Sequence, residues 1–154
     1  MIDRARIPLA LYVHLPWCVR KCPYCDFNSH VVPAAGLPER AYLEALLQDL
    51  EFAAQDVAGR EVVSVFFGGG TPSLFAATSI GRVLERARSL LPMAGGLEVT
   101  LEANPGTVEH ADFGDYAAAG VNRVSLGAQS FDDAQLRTLG RIHAAGDIER
   151  AAAD

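Results

Sequence analysis

The chain has 154 residues, 50% of them hydrophobic and 21% charged, with 13 Lys and Arg against 19 Asp and Glu. This balance excludes a disordered chain, and a net charge of −6 excludes a broad phosphate-binding face, which needs clustered basic side chains. The length suits one compact domain, and no apolar run approaches the roughly 20 residues of a transmembrane segment.

Arg4 and Arg6 precede the apolar stretch Ile7 to Leu15 in the manner of a signal peptide. Pro8, Tyr12 and His14 interrupt that stretch and no small-residue cleavage site follows, so it reads as mature fold and the protein as cytoplasmic. Leu9 to His14 predicts a first strand, followed by a cysteine loop through Asn28. A helix opening at Pro38 and Glu39 carries Leu43, Leu46, Leu47, Leu50 and Val57 at helical spacing and stops at Gly59. Val62 to Phe67 is nearly continuous in apolar residues, as in a parallel strand covered on both faces.

Past Gly68-Gly69-Gly70-Thr71-Pro72, the residues Ile80, Val83, Leu84, Ala87 and Leu91 predict a second helix ended by Pro92. Leu97 to Leu101 is expected as a third strand, Thr107 to Ala119 as a helix capped by Thr107 and stopped by Gly120, and Arg123 to Gly127 as a fourth strand. Ser130 and Asp133 have capping-box spacing before a short helix ending at Gly140, and Asp147 reads as the cap of a last helix. Strand–helix alternation over about four units predicts an α/β fold with a parallel sheet. The last helix has room for only two turns before Asp154, so the expectation is a truncated chain whose fourth strand presents an unpaired edge. Such a chain, isolated, is expected to be poorly soluble or partly molten.

Cys18, Cys22 and Cys25 are the only cysteines and lie within eight residues, spaced C-x3-C-x2-C. An odd, clustered set without an export signal is a poor disulfide framework and a better metal site. Three thiolates on one loop can hold three irons of a four-iron cube and leave the fourth open to a second molecule. A Cys3His zinc site using His14 or His30, and unliganded thiols, are the alternatives. Gly68 to Ser73 nearly fits a dinucleotide fingerprint, but Ser73 stands where the last glycine belongs and there is no Walker lysine; by itself it is a tight strand–helix turn. Glu102 and Gln129 lie just beyond the third and fourth strands, at the carboxyl-end rim where parallel sheets bind ligands. Taken alone, Glu102 reads equally as a helix cap, Gln129 as a partner of loop amides and Arg141 as half of a surface ion pair. His30 and His143 read as surface residues.

C-x3-C-x2-C with an aromatic residue before the last cysteine resembles the radical S-adenosylmethionine (SAM) superfamily. The longer runs Tyr12 to Cys18, Cys22 to Ser29, Phe67 to Ser73, Glu102 to Thr107, Gly120 to Arg123 and Leu139 to His143 are similar to one branch of it. That branch holds the oxygen-independent coproporphyrinogen III oxidases and the HemW-type heme chaperones. The resemblance spans nearly the whole chain. It implies the N-terminal part of a partial (βα)6 TIM-like barrel, with residues 1–154 forming an incomplete radical SAM core. The rest of the barrel and the heme-binding region would then be absent.

By the same resemblance, Cys18, Cys22 and Cys25 hold a [4Fe–4S] cluster, and SAM chelates the open iron. Tyr12, Tyr24, Gly69, Gly70, Thr71, Glu102, Gln129 and Arg141 match positions that contact SAM. The oxidase branch carries a further cysteine two residues after the third ligand, where this chain has Phe27. That departure favours a heme chaperone, with heme as cargo and heme-requiring proteins, including respiratory enzymes, as partners. No catalytic residue is assigned. The alternative is radical-SAM decarboxylation of coproporphyrinogen III to protoporphyrinogen IX.

Overall fold

A computed structural model describes residues 7–57, 59–106 and 112–153. Its main sheet has four parallel strands, β1 (Leu9–Leu15), β4 (Val62–Gly69), β5 (Met93–Ala103) and β6 (Arg123–Leu126), lying side by side in chain order. Sequential neighbours in one direction are the winding of a barrel wall, whereas a doubly wound sheet reverses direction midway. Two short strands, β2 (Trp17–Cys18) and β3 (His30–Val31), form a separate parallel pair at either end of the cysteine loop. This pair has no signal in the sequence, because two residues are too few to show an alternation.

Side chains alternate across each strand, so the register puts Val13, Leu15, Val65, Phe67, Val99 and Leu101 on one face. All six are buried against α1 (Glu39–Asp56) and α2 (Ala77–Leu90), through Leu43, Ile80, Val83 and Leu84. The other face carries Tyr12, Phe66, Thr100 and Glu102. The expected double coverage of the second strand is therefore corrected: Val63 is exposed and Phe66 only half-buried, its ring stacked on Tyr12 with centroids 6.2 Å apart.

Helix ends differ from the sequence reading in three places. Residues 107–111, including the expected cap Thr107, lie outside the described residues. Helix α3 runs Phe113–Ala118, and the Asp112 carboxylate caps it by accepting from Gly114 N–H. The cap of α4 (Asp133–Thr138) is Asp132, accepting from Gln135 N–H, whereas Ser130 accepts from Asp132 N–H just outside the helix. Asp147 sits in the first turn of α5 (Ala145–Ala153) and reaches back to accept from Ala144 N–H. Asp and Ser satisfy free helix amides from several neighbouring positions, so spacing alone misplaces the cap by two to five residues.

Two helices end where glycine was expected. At Gly120 (φ +108°) and Gly140 (φ +70°), paired bonds run from Val121 N–H to Tyr116 O with Gly120 N–H to Ala117 O, and from Arg141 N–H to Leu136 O with Gly140 N–H to Arg137 O. These are Schellman ends, in which a left-handed glycine turns the chain sharply off the helix axis. The first sends the chain into β6; the second aims Arg141 at the carboxyl ends of the strands. Tyr116 is buried with its hydroxyl placed to donate to Ser73 O and Phe75 O, and burial pushes its pKa up to about 12.

Among the described residues no helix is long and apolar enough to cross a membrane. As expected, β6 is an edge strand, paired with β5 alone among the described residues.

Candidate functional site

The four main strands end on the same rim, and the segments following them line one cleft of about 440 Å³. The cysteine loop contributes Cys18, Cys22, Tyr24, Cys25 and Phe27; Gly69, Gly70 and Thr71 follow β4; Glu102 and Asn104 come from the end of β5; Gln129 follows β6. Arg141 closes the cleft from beyond α4. The three cysteines and seven of the eight other residues singled out in sequence therefore share one cavity. Tyr12 does not line it: it stands exposed on the open face of β1, its hydroxyl 3.2 Å from His14 Nδ1.

Backbone fit explains the glycines. A Cβ on Gly70 would lie 2.5 Å from Trp17 O and 2.7 Å from Pro16 C, rigid main-chain atoms that cannot give way. Gly69 has φ +115°, and a Cβ there would strike the His14 ring. This close approach lets Gly70 N–H reach Leu15 O at 2.8 Å and Thr71 N–H reach Trp17 O at 2.7 Å, locking the glycine turn onto the base of the cysteine loop.

That loop is braced at several points. His30 N–H donates to Pro16 O and Val32 N–H to Cys18 O. Lys21 Nζ donates to both Phe27 O and Ser29 O at 3.1 Å, so its charge ties the loop together rather than standing free in solvent. Beneath lie Trp17, Tyr42 and Phe75, with Trp17 edge-on to Tyr42 at 4.6 Å. These three are the core aromatics under the loop, while Tyr24 is half-exposed on the cleft side.

The electrostatics suit an anionic, electron-rich guest. Arg141 Nη1 donates to Cys22 Sγ at 3.3 Å, and Nη2 donates to Gly127 O at 2.9 Å and to Asn104 Oδ1. Its Nε is buried without a partner, a cationic donor left over at the wall of the cleft. Burial pushes the Cys18 thiol up, the Thr71 and Ser29 hydroxyls bonded to it pull it down, and the other two cysteines push it up again. Burial also raises the Tyr24 phenol, against the pull of Arg141. Glu102 is raised by burial, partly offset by Gly69 N–H donating to Oε2 at 3.3 Å.

His14 uses both ring nitrogens within the fold, Nδ1 toward the Tyr12 hydroxyl and Nε2 toward Asn28 O. Among the described residues no three His, Cys, Asp or Glu converge on a point that one ion could occupy. Thiolates that each take a different iron of a cube have no need to converge.

Sequence reasoning missed Ser29, Asn104 and His143. Ser29 is buried, with its hydroxyl 3.8 Å from Cys25 Sγ. Asn104 donates to Thr71 Oγ1 and accepts from Arg141, joining three segments of the cleft wall. His143 is corrected from a surface residue to a buried one, bonded through Nε2 to Ala128 O. All three stand inside the quoted motifs, which was the available signal for them.

Residues 12–154 match the radical SAM superfamily. The chain is 51% identical to the heme chaperone HemW of Escherichia coli (strain K12) over 145 residues, which is 94% of this chain and 38% of that protein. It is 49% identical to the Haemophilus influenzae heme chaperone HemW, again over 94% of this chain and 38% of the relative. The fold superposes on the solved Escherichia coli coproporphyrinogen III oxidase (HemN), a radical SAM enzyme, with a TM-score of 0.83 and 31% identity. That superposition takes in 96% of this chain and 34% of the oxidase. A parallel α/β wall with its cysteine loop, glycine turn and strand-end polar residues facing one cleft, matched along nearly its whole length, places the chain in the radical SAM superfamily.

Proposed function

We propose that this chain is the radical SAM core of a heme chaperone, with Cys18, Cys22 and Cys25 holding a [4Fe–4S] cluster. Tyr24, Gly69, Gly70, Thr71, Glu102, Gln129 and Arg141 hold SAM beside it, and Tyr12 stands at the margin. Support for the cluster comes from the donor set: three thiols on one cleft wall, an arginine already donating to one of them, and a buried Nε with no partner. A thiolate-bound cluster is anionic, and a half-buried guanidinium with spare donor capacity stabilises it. When bound, cluster and SAM supply one-electron chemistry.

The chain's own residues bind and orient. Gly69 and Gly70, having no side chains, let the turn seat against the cysteine loop and line the cleft without bulk. Glu102 offers a carboxylate to amino or hydroxyl groups, Gln129 offers an amide, and Arg141 offers charge to a carboxylate or to sulfur. The braced loop and aromatic floor exclude water from below.

The observation that carries the chaperone reading over the oxidase is Phe27. It lines the cleft mouth with 63% of its surface exposed, at the position where the resemblance places the oxidase branch's extra cysteine. Heme is the cargo in this reading, and heme-requiring proteins are the recipients. Because the chain spans 38% of the HemW proteins it matches, its heme traffic is tested best by grafting. Residues 12–154 replace the matched segment of the Escherichia coli relative, and the graft is reconstituted anaerobically with iron and sulfide. It is then given SAM, a reductant and coproporphyrinogen III, and is separately titrated with heme. Tight heme binding with no decarboxylated product is expected; product at catalytic turnover overturns the chaperone in favour of the oxidase.

A further inference from the structure

Two alternate residues beyond α4 grip two consecutive carbonyls after β6. Arg141 Nη2 donates to Gly127 O at 2.9 Å, and His143 Nε2 donates to Ala128 O at 3.1 Å. The next residue, Gln129, has φ +65°, the one non-glycine residue with positive φ among those described, and its side chain faces the cleft. A left-handed backbone is strained for glutamine and persists where its surroundings impose it.

His143 is buried to 95% and is not among the residues lining the cleft. A carbonyl can only accept, so Nε2 carries a proton, while Nδ1 is buried without a partner. Gly106 lets the chain at His143 pack closely: a Cβ there would lie 3.3 Å from His143 Cβ. Ala128 O also accepts from Ser130 N–H at 2.8 Å, so the histidine holds the carbonyl about which the strained residue turns. From these contacts we infer that His143 is a positioning residue that holds Gln129 in its left-handed conformation and so presents the Gln129 amide to the bound nucleoside. The inference rests on the SAM reading of the cleft.

Two measurements on the full chain separate the inference from that reading. The first needs no ligand. In His143→Leu the amide of Ser130 should exchange with deuterium at least about tenfold faster than in the parent, while His143→Gln, whose side-chain amide can replace the Nε2 donor, stays within about threefold. Unchanged exchange in His143→Leu overturns the inference whatever the cleft binds.

The second titrates SAM into anaerobically reconstituted protein. His143→Leu should weaken binding about tenfold at unchanged iron content, with recovery in His143→Gln. In a Gln129→Ala background the same histidine change should add less than about twofold, since the group it positions is gone. An equal loss in both backgrounds means the histidine acts on general packing and overturns the inference. A parent chain that carries its cluster yet fails to bind SAM overturns the SAM reading instead, and the exchange result alone then judges the histidine.

Discussion

Glu102 is a carboxylate half removed from water with one backbone donor facing it, and burial raises its pKa above the ordinary 4.5. A raised folded-state pKa means that the folded chain holds this proton more tightly than the unfolded one. The resulting stability is full below the ordinary glutamate value and is lost as pH rises through the folded value. Glu102→Gln should therefore stabilise the metal-free chain near neutral pH, by no more than about 1 kcal/mol because half the group is screened by water. The gain should vanish on acidification, as read by urea midpoints across pH, while SAM affinity falls. Replacing Cys18, Cys22 or Cys25 with alanine should abolish the brown cluster absorbance after reconstitution, and Phe27→Ala should leave it intact. Retention of four irons in any cysteine variant would contradict the ligand assignment. Cysteines, glycines, Glu102 and Arg141 were legible because their chemistry is tied to short, ordered motifs. Asn104 and His143 were not, since each acts on a partner brought close only by folding, Asn104 joining Thr71 to Arg141 and His143 bonding Ala128 O, whereas Ser29 was overlooked although its partner Cys25 is four residues away. Tyr12 shows the converse: its motif is intact and it shares a face with Glu102, yet it lies level with Thr100, two residues short of the strand end that lines the cleft.

Helices and strands were readable where periodicity runs long. Ile80, Val83, Leu84 and Ala87 of α2 are all buried as their spacing required. Termini were readable where proline or a positive-φ glycine stands, as at Pro38, Pro92, Gly120 and Gly140, and the Schellman end at Gly140 shows why that matters for the site. It sets the exit direction toward Arg141, and a Cβ at this position would lie 2.8 Å from Pro23 Cδ in the cysteine loop. Gly140→Ala combines a left-handed backbone with that clash and should cost about 2 kcal/mol by thermal or urea unfolding. It should also weaken SAM binding, because α4 and the loop can no longer meet at the same distance. In α3, Tyr116→Phe leaves the buried carbonyls of Ser73 and Phe75 without their hydroxyl donor and should cost roughly 1–2 kcal/mol, with cluster content unaffected.

Taken entire, the sheet has helices on one face and an open face with an unprotected margin. β6 pairs on one side only among the described residues, and Val124 projects from it 38% exposed. A free parallel edge of this kind templates association, so the 154-residue chain should self-associate as concentration rises. Val124→Lys should reduce that association, read by light scattering, without altering cluster loading. A sharp melt from a monodisperse chain would argue against an adhesive edge. The pairing of β2 with β3 has a different reach. It joins the two ends of the cysteine loop through main-chain bonds that involve no thiol, so most of the entropy of closing the loop, roughly 2 kcal/mol for this length, is settled during folding. Folding of the loop is therefore expected not to depend on the proposed cluster. If the proposed cluster is lost to oxidation, the receptacle is expected to stay folded and to accept a new cluster, as read by far-ultraviolet circular dichroism before and after reconstitution.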